Sequence, residues 1–147
     1  MYKRILVPLE NSQADKCILQ HVTDLAKLCG AQVLLLHVAD GWAARNMEQL
    51  NLRESQEMKE DRAYLERMVQ ELRQAGVEVD AVLAAGDPEE IAAAAVREKV
   101  DLIAMATHGH SLLGDVVHGT TATALRHVSR IPILMVRAPA PGSGESR

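Results

Sequence analysis

The feature that most constrains the fold of this chain is a regular alternation of strand-type and helix-type segments. Short apolar runs rich in Val, Ile and Leu are separated by longer segments whose apolar residues recur at helical spacing. This alternation predicts parallel strands with helical crossovers on both faces of one sheet. We expect a single-domain, three-layer α/β sandwich around a five-stranded parallel sheet. The predicted strands are residues 2–9, 32–38, 77–85, 101–106 and 131–136.

Helix signals fill the intervals between these strands. The first helix has cap-type residues at 11–12, an apolar stripe from Ala14 to Cys29 and a stop signal at Gly30. The second is rich in charge, and we expect its charged residues to form a solvated face. The later helices are predicted over residues 47–75, 88–98 and 119–128.

Composition excludes several classes of function. The 147 residues contain 2% aromatic residues, too few for a surface that stacks single-stranded bases. With 16 Lys and Arg against 20 Asp and Glu, the chain has no general attraction for nucleic acid or anionic lipid. No apolar run approaches the ~20 residues that span a membrane. We expect a cytoplasmic protein that binds neither nucleic acid nor membrane.

The chain length predicts one domain. We place it at residues 1–137 and expect residues 138–147, rich in Pro, Gly and Ser, to be a flexible, solvated tail. Cys17 and Cys29 lie in one predicted helix, about 18 Å apart at its rise of ~1.5 Å per residue. This distance is too long for a disulfide, so we expect two buried thiols.

The segment after the fourth strand carries the strongest binding signal. In open parallel sheets, ligands bind beyond the carboxyl ends of the strands, where the strand order reverses. Here nine residues separate Gly109 from Gly119, and Thr120 and Thr121 follow at a predicted helix start. Free N–H groups and hydroxyls at such a helix end suit a phosphate, although these residues could equally serve only as a cap. Neither a Walker motif nor a GxGxxG motif is present.

Several segments together resemble the universal stress protein family over about residues 2–137. They are VPLENS at 7–12, LLHV at 35–38, MATHG at 105–109, GT at 119–120 and LRHVSRIPILMV at 125–136. The resemblance implies a Rossmann-like sandwich of the adenine nucleotide alpha hydrolase type. It also implies a regulatory protein of the stress response that binds ATP, or else AMP or ADP, with or without Mg²⁺.

The same resemblance implies a set of nucleotide-binding residues. Those at the ends of the first two strands would line the adenosine, with the carboxylate of Glu10 accepting from ribose hydroxyls. Those at 105–109 and 119–121 would hold ribose and phosphates. The set is Pro8, Leu9, Glu10, Val38, Met105, Ala106, His108, Gly109, His110, Gly119, Thr120 and Thr121.

Three of these positions depart from the family pattern. Glu10 stands where the family usually has Asp, and Ala106 stands at the first Gly of the family motif. His110 replaces a residue that is commonly basic, which leaves less fixed positive charge near the phosphates. We therefore expect weaker nucleotide binding than in a full match.

Two other functions remain open from the sequence. One is a slow adenine-nucleotide hydrolase using His108 or His110, although the residues supply no set for in-line phosphoryl transfer and no assigned catalytic residue. The other is a nucleotide-free interaction protein of the same fold. A metal site at His108, His110, His118 and Asp115 is disfavoured, because solvated loop histidines are the commoner explanation.

The last strand suggests self-association. Both the resemblance and the need to cover an apolar edge strand predict a homodimer through Ile131, Ile133 and Met135. His37 lies inside the second strand, where we expect a structural histidine with satisfied hydrogen bonds.

Overall fold

Five parallel strands form one sheet in the part of the chain that the structure describes. This computed structural model describes residues 1–9, 13–39, 56–85, 90–107 and 130–138. The strands are β1 (Arg4–Leu9), β2 (Gln32–Ala39), β3 (Val79–Ala85), β4 (Leu102–Thr107) and β5 (Ile133–Arg137). The helices are α1 (Ala14–Cys29), α2 (Gln56–Gln74) and α3 (Glu90–Arg97). The predicted helix over 119–128 lies outside the described residues.

The strand order in the sheet is β3-β2-β1-β4-β5, so β1 is central and β5 is an edge strand. The chain builds outward from β1 in one direction through β2 and β3, and then in the other through β4 and β5. The order therefore reverses between β1 and β4. This places the ligand-binding position of such folds at the carboxyl ends of those two strands.

Two apolar cores lie on opposite faces of the sheet. The larger packs α1 and α2 against Ile5, Val7 and Leu35. The smaller packs α3 against Leu6 and Leu34. Adjacent residues of β1 enter different cores because side chains alternate along a strand. The continuous apolar runs of the sequence are thus explained by burial on both sides, and the predicted three-layer α/β sandwich is confirmed.

Helix ends follow from backbone conformation. Gly30 ends α1 in the left-handed region at φ 68°, and its N–H donates to the Ala26 carbonyl, as the stop signal predicted. The third helix ends at Arg97, one residue before the predicted end, and Lys99 adopts a left-handed φ of 56°. A non-glycine residue in this region carries strain of about 1–2 kcal/mol. The predicted cap at 11–12 lies outside the described residues.

The carboxyl-terminal part of the sheet differs from the prediction. β5 spans Ile133–Arg137 rather than residues 131–136, because Pro132 has no N–H for a ladder and its carbonyl instead accepts from Ile103. Ile131 therefore precedes the strand. Ala138, the first residue of the predicted solvated tail, is buried at 3% exposure.

The cysteines and one charged residue also correct the expectations. Cys17 and Cys29 are free, as predicted, but half-buried rather than buried. The Cys17 thiol lies 3.7 Å from the Arg137 carbonyl.

In α2 the charged face is solvated at most described positions, but Asp61 is buried. Among the helices described, none is long and apolar enough to cross a membrane.

Candidate functional site

The switch point between β1 and β4 brings together the described part of the predicted site. Pro8 and Leu9 end β1, and Met105 and Ala106 lie near the end of β4. These strands are neighbours in the sheet although almost a hundred residues separate them in the chain. The structure therefore groups four of the predicted residues at the expected edge of the sheet.

The pairing of β1 with β4 stops before that edge. Ile5 pairs with Leu102 and Leu6 with Ile103, and these are the pairs recorded along the two fully described strands. On its other side, β1 pairs with β2 along its whole length, from Arg4 to Leu9. The carboxyl-terminal halves of β1 and β4 are thus not joined by a ladder. The end of the ladder coincides with the position at which ligands bind in open parallel sheets.

Pro8 gives a physical reason for this arrangement. Along a strand, the backbone groups of alternate residues point to opposite neighbours. The Arg4 carbonyl accepts from Asp101 on the β4 side, whereas the Lys3 carbonyl accepts from Gln32 on the β2 side. The nitrogen of Pro8, four residues beyond Arg4, therefore points to the β4 side and has no hydrogen to donate. A proline is tolerated in this central strand because the ladder ends there.

The four side chains lie near the carboxyl ends of β1 and β4. Leu9 is buried in the core beneath α1 and α2, and the half-buried Ala106 packs against the same core. Met105 packs against the core beneath α3, and Pro8 is half-buried. The strand ends thus supply apolar surfaces of the kind that suit an adenine ring.

The other predicted binding residues are not described. For Val38 the structure describes only the backbone, which pairs with Ala84 in β3. The following predicted residues lie outside the described part: Glu10, His108, Gly109, His110, Gly119, Thr120 and Thr121. The disfavoured metal ligands His118 and Asp115 do too. In the ranges that are described, no three His, Cys, Asp or Glu residues are grouped as metal ligands would be.

His37 lies beside the end of β1 and has a polar partner on each side of its ring. Its Nδ1 lies 2.7 Å from the Leu9 carbonyl oxygen, and its Nε2 lies 2.9 Å from Oδ2 of Asp61 in α2. His37 is 7% exposed and Asp61 is 5% exposed. A carbonyl oxygen can only accept, so Nδ1 carries a hydrogen. The expectation of a structural histidine with satisfied hydrogen bonds is confirmed at Nδ1.

The contact between His37 and Asp61 is close but not aligned. Oδ2 of Asp61 has no hydrogen bond of normal geometry to a described residue, despite its 2.9 Å distance from Nε2. We therefore treat the contact as electrostatic. It is favourable only when a proton lies on one of the two groups, because a bare Nε2 lone pair and a carboxylate oxygen repel one another.

A second buried carboxylate lies between α1 and α2. The Tyr64 hydroxyl donates to Oδ2 of Asp15 at 2.6 Å. Burial, followed by this hydrogen bond and the negative charge of Asp15, raises the pKa of Tyr64. Together Asp61 and Tyr64 connect one face of α2 to the sheet and to α1.

Sequence reasoning missed the roles of Asp15 and Asp61. For Asp61 a signal existed, since it precedes the buried Leu65 by four residues and so lies on the apolar stripe of α2. A carboxylate at such a position indicates a buried polar partner. Asp15 offered the same signal, since it precedes the buried Leu19 of α1 by four residues.

Comparison with known proteins identifies the family. The model of the universal stress protein family matches residues 1–137. This chain belongs to the universal stress protein family. Universal stress protein MJ0577 of Methanocaldococcus jannaschii is 30% identical over 155 aligned positions, which cover 93% of this chain and 96% of the relative.

Solved structures share the universal stress protein fold. The structure of MJ0577 matches with a TM-score of 0.78 at 31% identity and covers 94% of this chain and 97% of that one. A universal stress protein in complex with cAMP matches at 0.66, with 15% identity and coverage of 92% and 96%. One from Archaeoglobus fulgidus in complex with dAMP matches at 0.67, with 18% identity and coverage of 92% and 98%.

Proposed function

We propose that this universal stress protein binds an adenine nucleotide at the carboxyl ends of β1 and β4 and acts as a regulatory binding protein in a stress response. The observation that carries the proposal is the end of the β1–β4 ladder at Leu6 and Ile103, directly below Pro8, Leu9, Met105 and Ala106. The ladder ends where the strand order reverses, which is the ligand position of open parallel sheets.

The residues at and after the ends of β1 and β4 support a nucleotide as the ligand. The described residues supply apolar surfaces, and Gly109, Gly119 and Thr120 supply the small and hydroxyl residues that a phosphate needs. Two proteins of this fold are known in complex with cAMP and dAMP. ATP, ADP and AMP are the candidates in our proposal, with Mg²⁺ as a companion of the phosphates.

We propose that the protein acts as a homodimer in the cytoplasm, with residues 1–137 as its folded domain. The edge position of β5 supports self-association, because an exposed edge strand presents unpaired backbone groups. Met135, in the middle of β5, is 46% exposed, whereas Ile133 and Ile131 pack partly against the core beneath α3. Met135 is therefore the residue that we assign to the dimer surface.

Calorimetric titration with ATP, with and without Mg²⁺, tests the proposed binding. We expect saturable heat for the natural protein and none for Gly119→Val, whose side chain would block the approach of a phosphate to the backbone. Gly142→Val is the matched control, because it places the same side chain in the predicted tail and should bind as the natural protein does. A natural protein that neither releases nucleotide on denaturation nor binds added ATP would favour the nucleotide-free interaction protein.

The same preparation addresses the hydrolase alternative. The purified protein is incubated with ATP and Mg²⁺ or Mn²⁺, and phosphate and pyrophosphate are measured. A regulatory binding protein should release neither above the background. Release that disappears in His108→Ala or His110→Ala would instead assign the slow hydrolase.

A further inference from the structure

We propose that His37 is a positioning residue of the nucleotide site, which fixes the Leu9 carbonyl and thereby the end of β1 against which the nucleotide binds. The inference rests on the proposed nucleotide binding and adds a residue that would not itself touch the ligand. The first observation is that β1 pairs with β2 along its whole length but with β4 only at Ile5 and Leu6.

Among the described strands, the last residues of β1 have recorded pairing on one side only. Toward β4 the ladder stops after Leu6, and Pro8 has no N–H to offer there. Toward β2 the pairing continues to the last residue, where Leu9 is level with His37. Among the described strands, backbone pairing at the end of β1 is therefore with β2.

His37 adds a contact from its side chain. The Leu9 carbonyl points toward β2, and His37 Nδ1 donates to it at 2.7 Å. Because a peptide group is planar, a fixed carbonyl also fixes the plane of the bond that follows Leu9. We infer that this sets the orientation of the end of β1, next to Glu10, for which the family resemblance implies the ribose contact.

Helix α2 holds the imidazole in place. Asp61 lies 2.9 Å from Nε2 in a region from which water is largely excluded, so the ring cannot turn without losing this contact. The strand end thus depends on a side chain that contacts α2.

Two variants of His37 separate the contacts of its two nitrogens. In His37→Asn the side-chain amide N–H takes the approximate place of Nδ1, so the bond to Leu9 is retained and the contact with Asp61 is lost. In His37→Gln the amide takes the approximate place of Nε2, so Asp61 is retained and Leu9 is lost. Tyr64→Phe is the control, because it breaks another buried polar contact of α2, the bond to Asp15 in α1, and keeps the ring.

ATP affinity by calorimetry and the urea midpoint are measured for all four proteins. We expect each variant to be less stable than the natural protein, but only His37→Gln to bind ATP about tenfold more weakly, the effect of losing one hydrogen bond. The positioning role would be overturned if the loss of ATP affinity paralleled the loss of stability across the variants. Equal ATP affinities for His37→Asn and His37→Gln would overturn it too. A natural protein that binds no ATP would overturn the proposed function itself, and the positioning role with it.

A measurement on the natural protein tests the same role without depending on whether the variants fold. With ¹⁵N-labelled histidine, the Nδ1 resonance of His37 should be that of a protonated nitrogen and should shift when ATP is added. An unprotonated Nδ1, or a resonance unchanged at saturating ATP, would contradict the positioning role.

Discussion

The Tyr64 hydroxyl donates a 2.6 Å hydrogen bond to the buried carboxylate of Asp15, and so joins α2 to α1 across the outer layer of the sandwich. The bond is short, as hydrogen bonds to a charged oxygen usually are. A buried carboxylate is costly without such donors. This contact therefore contributes both to the packing of the two helices and to the response of the protein to pH.

Loss of the hydroxyl should destabilise the protein. We expect Tyr64→Phe to lower the free energy of unfolding by about 1–3 kcal/mol, because the Asp15 carboxylate loses a donor while its burial is unchanged. Urea unfolding at pH 7 measures the change. Tyr2→Phe is the matched control, and an equal loss in both variants would mean that the bond to Asp15 is not the cause.

The raised pKa of Tyr64 predicts a loss of stability in alkali. Below the unfolded-state pKa of about 10, tyrosine is neutral in both states and contributes no pH dependence. Above it, the unfolded chain releases the proton while the folded protein retains it, because burial raises the pKa of Tyr64 in the folded state. The unfolded state then binds fewer protons, so stability falls as pH rises.

The slope of stability against pH tests this linkage. Urea unfolding from pH 8 to 11 should show a smaller alkaline loss in Tyr64→Phe than in the natural protein, with Tyr2→Phe as the control. Identical slopes in the natural protein and Tyr64→Phe would contradict the raised pKa.

Restoring the family glycine at position 106 should strengthen nucleotide binding. Ala106→Gly removes a Cβ at the end of β4, and we expect several-fold tighter ATP binding by calorimetry. Glycine within a strand costs about 0.5–1 kcal/mol, so the variant should also be less stable. Ala104→Gly, on the same face of the same strand, should lose stability without a gain in affinity. Equal ATP affinity in the natural protein and Ala106→Gly would show that the Cβ of Ala106 does not weaken binding.

A charge on the edge strand should prevent self-association. We expect Met135→Lys to shift the protein from dimer to monomer in sedimentation velocity, because a lysine on an edge strand opposes pairing with a second copy. Leu28→Lys is the control, since Leu28 is 84% exposed and lies on a helix, α1, rather than on the edge strand. A dimer that survives Met135→Lys but not Leu28→Lys would place the interface on the helices.

The end of α1 gives a prediction about backbone conformation. Gly30 has a φ of 68°, and a Cβ there would meet nothing within 4 Å. We therefore expect Gly30→Ala to cost about 1 kcal/mol from strain alone, and Gly30→Asn to cost less, because asparagine tolerates this region better. Urea unfolding measures both variants. A loss as large for Asn as for Ala would contradict strain as the cause.

The sequence by itself determined the elements, the class of fold and the family. Apolar periodicity and the stop at Gly30 are local signals, so they predicted helices and strands within a few residues. The resemblance in segments 7–12 and 105–109 predicted the family, which the match over residues 1–137 confirmed. The start of the last strand was predicted wrongly because contacts distant in sequence determine it. The carbonyl of Pro132 accepts from Ile103 of the neighbouring strand.

Only the tertiary structure decided which strands are neighbours and which polar groups meet. The strand order, the early end of the β1–β4 ladder and the contacts of His37 with Leu9 and Asp61 all join segments that are far apart in the chain. A local pattern specifies what each segment prefers to be, but not which other segment will share its core. Such contacts form only when the whole sheet is assembled, because burial of each apolar face is satisfied by packing against another element.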